Sequence, residues 1–144
     1  MIEKKFRLMS LIPVFLALFQ FSVHAAPSEN SLPPILESKA YEQFKRRPVS
    51  DLSKLIYLID RFGPSGAEIY YDGHYFKAPF AAWVAKAFLA RNYKKESVQD
   101  WIMKWCHTSI GGELIYARFP DGKFRRSSEV LLEESKALEI ALKK

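Results

Sequence analysis

Residues 68–77 read Glu-Ile-Tyr-Tyr-Asp-Gly-His-Tyr-Phe-Lys, and this stretch predicts a β-hairpin that decides the fold class. Its centre, Asp72-Gly73, accepts the positive φ angles of a two-residue type I′ turn. The turn sets a register that pairs Tyr71 with His74, Tyr70 with Tyr75, Ile69 with Phe76 and Glu68 with Lys77. Opposed aromatic residues and opposed charges each stabilise such a ladder, by about 0.2–1 kcal/mol per pair. All four pairs therefore favour the same hairpin.

Tyr70 and Tyr75 share one face of this hairpin, because side chains alternate along a strand. If Ile69 and Phe76 face the core, the two tyrosines face outward, and exposed paired tyrosines make a good recognition surface. The alternative is that a helix over residues 34–47 covers them. We favour this coverage.

Apolar residues that recur at the 3.6-residue period predict helices on both sides of the hairpin. These helices are expected to begin near residues 34, 50, 79, 97 and 127. Residues 114–119 are rich in β-forming side chains and predict a third strand. The expected fold is α+β, with four to five helices packed against a small antiparallel sheet made of hairpin 68–77 and strand 114–119.

Residues 1–25 have the layout of a secretory signal peptide: positive charge, an apolar run and small residues before a cleavage site. Lys4, Lys5 and Arg7 supply the charge, and the run over residues 8–23 contains no ionisable side chain. We therefore predict cleavage near Ala25 and a periplasmic or secreted protein. The alternative is a membrane anchor over residues 8–28, since about 20 apolar residues span a bilayer. In that case alone we expect contact with a membrane.

Cleavage would leave residues 26–144, which suit a flexible polar tether (26–33) followed by a single globular α+β domain (34–144). The leader holds three of the 22 basic and one of the 16 acidic residues, so the remainder carries 19 minus 15, or +4. This charge favours anionic partners. A single cysteine, Cys106, excludes an internal disulfide. We therefore expect a bacterial periplasm or exterior rather than a disulfide-dense secretory scaffold.

Short motifs between residues 55 and 138 resemble a family of small exported bacterial proteins catalogued as a domain of unknown function. The motifs are Leu55-Ile56-Tyr57-Leu58-Ile59, the Asp72-Gly73 hairpin between Ile69 and Phe76, Phe80-Ala81-Ala82, and Thr108-Ser109-Ile110-Gly111-Gly112 leading to Tyr116. The resemblance implies export and a shared fold, and it implies no activity.

Cys106 with His107 or His74 is the one nucleophile pair that the sequence offers, and it would make the protein a small hydrolase. Against this alternative, Cys106 lies on the apolar stripe of the predicted helix 97–107, where a packed, neutral thiol is expected. Its sequence neighbour His107 would point about 100° away around a helix, and His74 is remote in the sequence. The spacing of His and Cys predicts no metal site, and no phosphate-binding loop or other cofactor motif is present.

Basic and aromatic residues are interleaved in the segment 116–126, which covers part of the third predicted strand and the turn after it. With the hairpin tyrosines they form the predicted ligand-binding set: Tyr70, Tyr75, Tyr116, Arg118, Lys123, Phe124, Arg125 and Arg126. Such a pattern can bind nucleic acid, but an exported protein meets envelope proteins and anionic polymers or lipids instead. The alternative reading is solvated charge that keeps a small domain soluble. The sequence therefore predicts a non-enzymatic binding module for a protein or an anionic envelope component.

Overall fold

The computed structural model describes residues 32–144 and has, over that range, five α-helices and a four-stranded antiparallel sheet. This is the α+β class predicted from the sequence. The helices are α1 (Lys39–Phe44), α2 (Asp51–Phe62), α3 (Ala78–Asn92), α4 (Val98–Trp105) and α5 (Ser127–Leu142). The strands are β1 (Glu68–Tyr71), β2 (His74–Lys77), β3 (Tyr116–Arg118) and β4 (Phe124–Arg126). The predicted leader, residues 1–25, and the tether up to residue 31 lie outside the described residues.

The hairpin β1–β2 has the predicted register, with Glu68 opposite Lys77 and Tyr70 opposite Tyr75. Asp72 and Gly73 adopt φ angles of 46° and 81°, as the two central residues of a type I′ turn require. The turn is also held from outside, because Ser109 donates a hydrogen bond to the Asp72 carboxylate. The hairpin prediction is confirmed in detail.

The sheet has the order β2-β1-β3-β4, so β1 and β3 are its central strands. The predicted strand 114–119 was too long, because Leu114 and Ile115 pair with the chain at residues 107–108 instead of with β1. The fourth strand, β4, was not predicted. It returns beside β3 through a tight turn in which Gly122 has a φ of 82°.

The N-terminal helix predicted over residues 34–47 is interrupted. A single 3₁₀ turn, Ile35–Glu37, precedes α1, and between them Ser38 is extended, with φ −81° and ψ 142°. The Ser38 hydroxyl accepts a hydrogen bond from the Tyr41 amide and so caps a new helix start. The resulting α1 packs on α2, with the Phe44 and Tyr57 rings 5.7 Å apart.

The buried side chains form two clusters, both on the same side of the sheet. The larger one joins all five α-helices around Phe44, Tyr57, Leu89, Ile102 and Leu138. The smaller one joins the sheet to α3 and α5 and includes Ala117. Since Ile69 pairs with Ala117 across β1 and β3, the alternation of side chains directs their neighbours to the opposite face.

A buried ion pair connects the second and fifth helices. The Arg61 Nε atom lies 2.7 Å from the Glu134 carboxylate, and both side chains are only 4% exposed. The Tyr57 hydroxyl donates to the same carboxylate, and Arg61 also donates to the Pro33 carbonyl. Burial and the Glu134 charge raise the pKa of Tyr57. The beginning of the described chain is thus tied to the core.

Candidate functional site on the outer face of the sheet

The face of the sheet that points away from the helices, called here the outer sheet face, carries two rows of side chains. The first row crosses the four strands as Lys77, Glu68, Arg118 and Phe124. The second crosses them as Tyr75, Tyr70, Tyr116 and Arg126. The rows follow from the strand register alone, because every second residue of a strand lies on the same face.

Arg118 lies at the centre of the outer sheet face. Its guanidinium carbon is 4.1 Å from the centre of the Tyr75 ring and 5.7 Å from that of Phe124. One of its nitrogens lies 2.6 Å from the Glu68 carboxylate on the neighbouring strand. Two neighbouring rings and an ion pair therefore contact this guanidinium, and its side chain remains partly exposed.

Aromatic rings adjoin this arginine and reach solvent. The ring of Tyr75 lies 5.1 Å from that of Tyr70 and 6.4 Å from that of Phe124, measured between centroids. Tyr75 is 46% exposed and Phe124 50% exposed. The coverage of Tyr70 and Tyr75 by the helix over residues 34–47 was wrong, because α1 packs on α2 through Phe44 and leaves Tyr75 in solvent.

The outer sheet face has an excess of positive charge. It holds three cations, Lys77, Arg118 and Arg126, and one carboxylate, Glu68. Glu129 of α5 lies 3.6 Å from Arg126, but both side chains are about half exposed, and such pairs contribute little. The field above this face therefore attracts anions.

Six residues of the predicted ligand-binding set gather on this face, and two do not. Arg125 lies on the inner side, opposite Ala117, and pairs with Glu133 of α5 at 2.6 Å. Lys123 lies in the turn before β4, where its amide donates to the Asp121 carboxylate. Sequence reasoning missed Glu68 and Lys77 as members of the face, although the predicted hairpin register already placed them beside the tyrosines.

The alternative nucleophile is poorly arranged for catalysis. Burial among the side chains of the helical core raises the pKa of the Cys106 thiol to about 12, so the thiol is protonated at neutral pH. The His107 Nδ1 atom lies 2.9 Å from the Ser128 hydroxyl, and the His74 Nδ1 atom lies 3.0 Å from the Asp72 carbonyl. Each imidazole therefore has a partner other than the thiol.

Over residues 32–144, no three His, Cys, Asp or Glu side chains are grouped in a way that could hold a metal ion. No helix in the same range combines the length and the apolar character needed to cross a bilayer. The apolar run over residues 8–23 lies outside that range.

Comparison of the chain with protein-family models, with curated proteins and with solved structures finds no match. The resemblance to a family of small exported bacterial proteins therefore stays a prediction. The outer sheet face is therefore the main structural evidence for a function.

Proposed function

We propose that this chain is a non-enzymatic, exported binding module that holds an anionic polymer of the cell envelope on its outer sheet face. The observation that carries the proposal is the contact of Arg118 with two exposed aromatic rings, those of Tyr75 and Phe124, with Lys77 and Arg126 on the two edge strands. Location in the envelope rests on the predicted leader.

The cations of the outer sheet face are spread across the sheet rather than clustered. Lys77 lies on the edge strand β2 and Arg126 on the opposite edge strand β4. With strands about 4.8 Å apart, this separation is about 14 Å. An extended chain with repeated negative groups can contact both edges and the central Arg118 at once, whereas a single small anion cannot.

Arg118 is suited to bind a carboxylate or phosphate group of such a polymer. The Glu68 carboxylate accepts a hydrogen bond from one of the Arg118 nitrogens, and a guanidinium has five N–H donors in one plane. A guanidinium that is already held in place loses little side-chain entropy when it binds. The exposed parts of the Tyr75 and Phe124 rings offer apolar contact to the sugar rings of a polymer.

An envelope protein is the other partner class that the sequence allowed. The outer sheet face favours the polymer because its aromatic rings are interleaved with charges and its cations outnumber its carboxylates. Protein-binding hot spots more often form a desolvated apolar centre with a polar rim.

Co-sedimentation with isolated peptidoglycan sacculi, whose stem peptides carry carboxylates, tests the proposal. Lys77→Glu with Arg126→Glu should reduce the bound fraction at least tenfold. Arg91→Glu with Lys94→Glu gives the same change in net charge at exposed positions of another surface, and should reduce binding only slightly. Equal losses for the two double variants, or binding by neither the wild type nor the variants, would contradict the proposal.

A further inference from the structure

Over the four described strands, the outer sheet face carries one carboxylate, and it lies among the cations. Glu68 is on β1, between Lys77 of β2 and Arg118 of β3 in the first row. Its carboxylate lies 2.6 Å from an Arg118 nitrogen, and 37% of its side chain is exposed, so a polymer that crosses this face passes over it. A face that only attracted negative charge would bind more strongly with a neutral residue at this position.

The ion pair between Glu68 and Arg118 contributes little to the stability of the fold. More than a third of each side chain is exposed, and at such exposure water screens the attraction. The two strands that carry these residues already pair with each other over residues 68–70 and 116–118. The carboxylate therefore has more influence on what the face binds than on whether the domain folds.

The cations of this face are widely spaced along its rows. Lys77 and Arg118 lie two strands apart, which is about 10 Å, with Glu68 midway between them. Within residues 32–144 Lys77 forms no ion pair, so Glu68 neutralises Arg118 and leaves the Lys77 charge free. In the second row three tyrosines precede the cation Arg126. Neither row therefore presents two cations on neighbouring strands.

This arrangement opposes a polymer that has a charge on every unit. A DNA strand, for comparison, carries one phosphate per about 3.4 Å. When such a chain contacts both Lys77 and Arg118, at least one further phosphate lies over Glu68, and the juxtaposed like charges disfavour binding. A glycan whose carboxylates are separated by neutral sugars avoids this repulsion, because it can place a neutral ring above Glu68.

From these observations we propose that Glu68 determines the specificity of the outer sheet face. It excludes polyphosphates and other polymers with a charge on every unit, and it admits a glycan with widely spaced carboxylates. This inference rests on the function proposed above and names the class of polymer that the face binds. Specificity of this kind combines an element that repels the wrong ligand with contacts that attract the right one. Glu68 supplies the repulsion, and Lys77 and Arg118 supply the attraction.

Binding of two polymers by a variant without the Glu68 charge tests the inference. Co-sedimentation measures binding to peptidoglycan sacculi freed of phosphate polymers, and fluorescence anisotropy measures binding to labelled long-chain polyphosphate. Glu68→Gln keeps the size of the side chain and removes its charge. We expect it to strengthen binding to polyphosphate at least tenfold and binding to sacculi less than threefold.

Two controls separate local repulsion from other effects of the substitution. Glu37→Gln makes the same change in net charge at an exposed position of the 3₁₀ turn before α1, and should change binding to either polymer less than twofold. Glu68→Asp keeps the charge but shortens the side chain that contacts Arg118. It should bind polyphosphate as weakly as wild type does, because the repulsion remains. A tenfold gain for Glu68→Asp would contradict the inference, since release of Arg118 would then be the cause.

Two other results would overturn the inference. One is an equal gain of Glu68→Gln for both polymers, and the other is an equal gain of Glu68→Gln and Glu37→Gln for polyphosphate. If the wild type binds sacculi and Lys77→Glu with Arg126→Glu reduces that binding, either result refutes the choice of polymer and leaves the proposed function standing. Absence of wild-type binding to sacculi would instead contradict the proposed function, and this inference with it.

Discussion

The Arg118 guanidinium carbon lies 4.1 Å from the centre of the Tyr75 ring, two strands away in the sheet. Strand β1 lies between them, and the carboxylate of its Glu68 forms an ion pair with the same guanidinium at 2.6 Å. A charged group and an aromatic ring from distant parts of the chain are thus in contact, and the proposed binding site is built around this contact.

The shape of the Arg118 side chain should contribute to binding beyond its charge. Lys keeps the charge but lacks the planar group that packs on Tyr75 and offers paired donors. We expect Arg118→Lys to weaken binding to peptidoglycan sacculi about threefold to tenfold in co-sedimentation. Arg91→Lys, on another exposed surface, serves as the matched control. Wild-type binding by Arg118→Lys would mean that net charge alone attracts the ligand.

Loss of the buried partner in the Arg61–Glu134 pair should strongly destabilise the domain. Both side chains are 4% exposed, so Glu134→Gln leaves the Arg61 charge buried without compensation. We expect the free energy of unfolding, measured with urea, to fall by about 3–5 kcal/mol. Lys45→Met, which breaks an exposed pair with Glu42, should cost less than about 1 kcal/mol. Similar losses for the two variants would show that the buried pair has no special role.

Stability should fall at alkaline pH through Cys106. Burial raises the pKa of this thiol from about 9 to about 12, so between these values the unfolded chain ionises while the folded chain does not. The contribution is therefore complete below pH 9 and is lost as the pH rises toward 12. Urea unfolding at pH 8 and pH 10.5 should show a larger loss for wild type than for Cys106→Ala. Parallel losses would place the thiol in an environment like that of the unfolded chain.

Processing of the leader can be measured directly. The full chain, expressed in a bacterial host with a C-terminal tag, should yield a periplasmic or secreted product whose mass corresponds to a start at Ala26. Ala25→Phe should block processing, because signal peptidase requires a small residue before the cleavage site. A wild-type product of full length in the membrane fraction would support the anchor alternative instead.

Local chemistry explains which parts of the fold could be predicted from the sequence. The Asp72-Gly73 turn fixes its own register, and Ser50 begins α2 through a reciprocal pair of hydrogen bonds with Ser53. The three-residue strand β4 has the sequence Phe-Arg-Arg, which is too short and too charged to show a period. The feature of the sequence that indicates β4 is the Asp121-Gly122 turn, which connects β3 to β4.

The candidate site could be predicted in part, for a similar reason. Tyr116, Arg118, Phe124 and Arg126 belong to one linear segment, and antiparallel pairing brings them to one face. Arg125 does not join them, because side chains alternate along β4 and its own points to the inner side of the sheet. The exposure of Tyr75 depends on how distant helices pack, and no local pattern in the sequence encodes that packing.

The most direct test of the central claim is to map where an anionic envelope polymer contacts the protein. Soluble fragments of peptidoglycan that carry free carboxylates can be titrated into isotope-labelled protein, with backbone amide signals followed by NMR. We expect the largest chemical-shift changes on the outer sheet face, at Tyr75, Lys77, Arg118 and Arg126. These changes should become smaller as salt is added. Shifts confined to α3 and α4, or none at all, would contradict this claim.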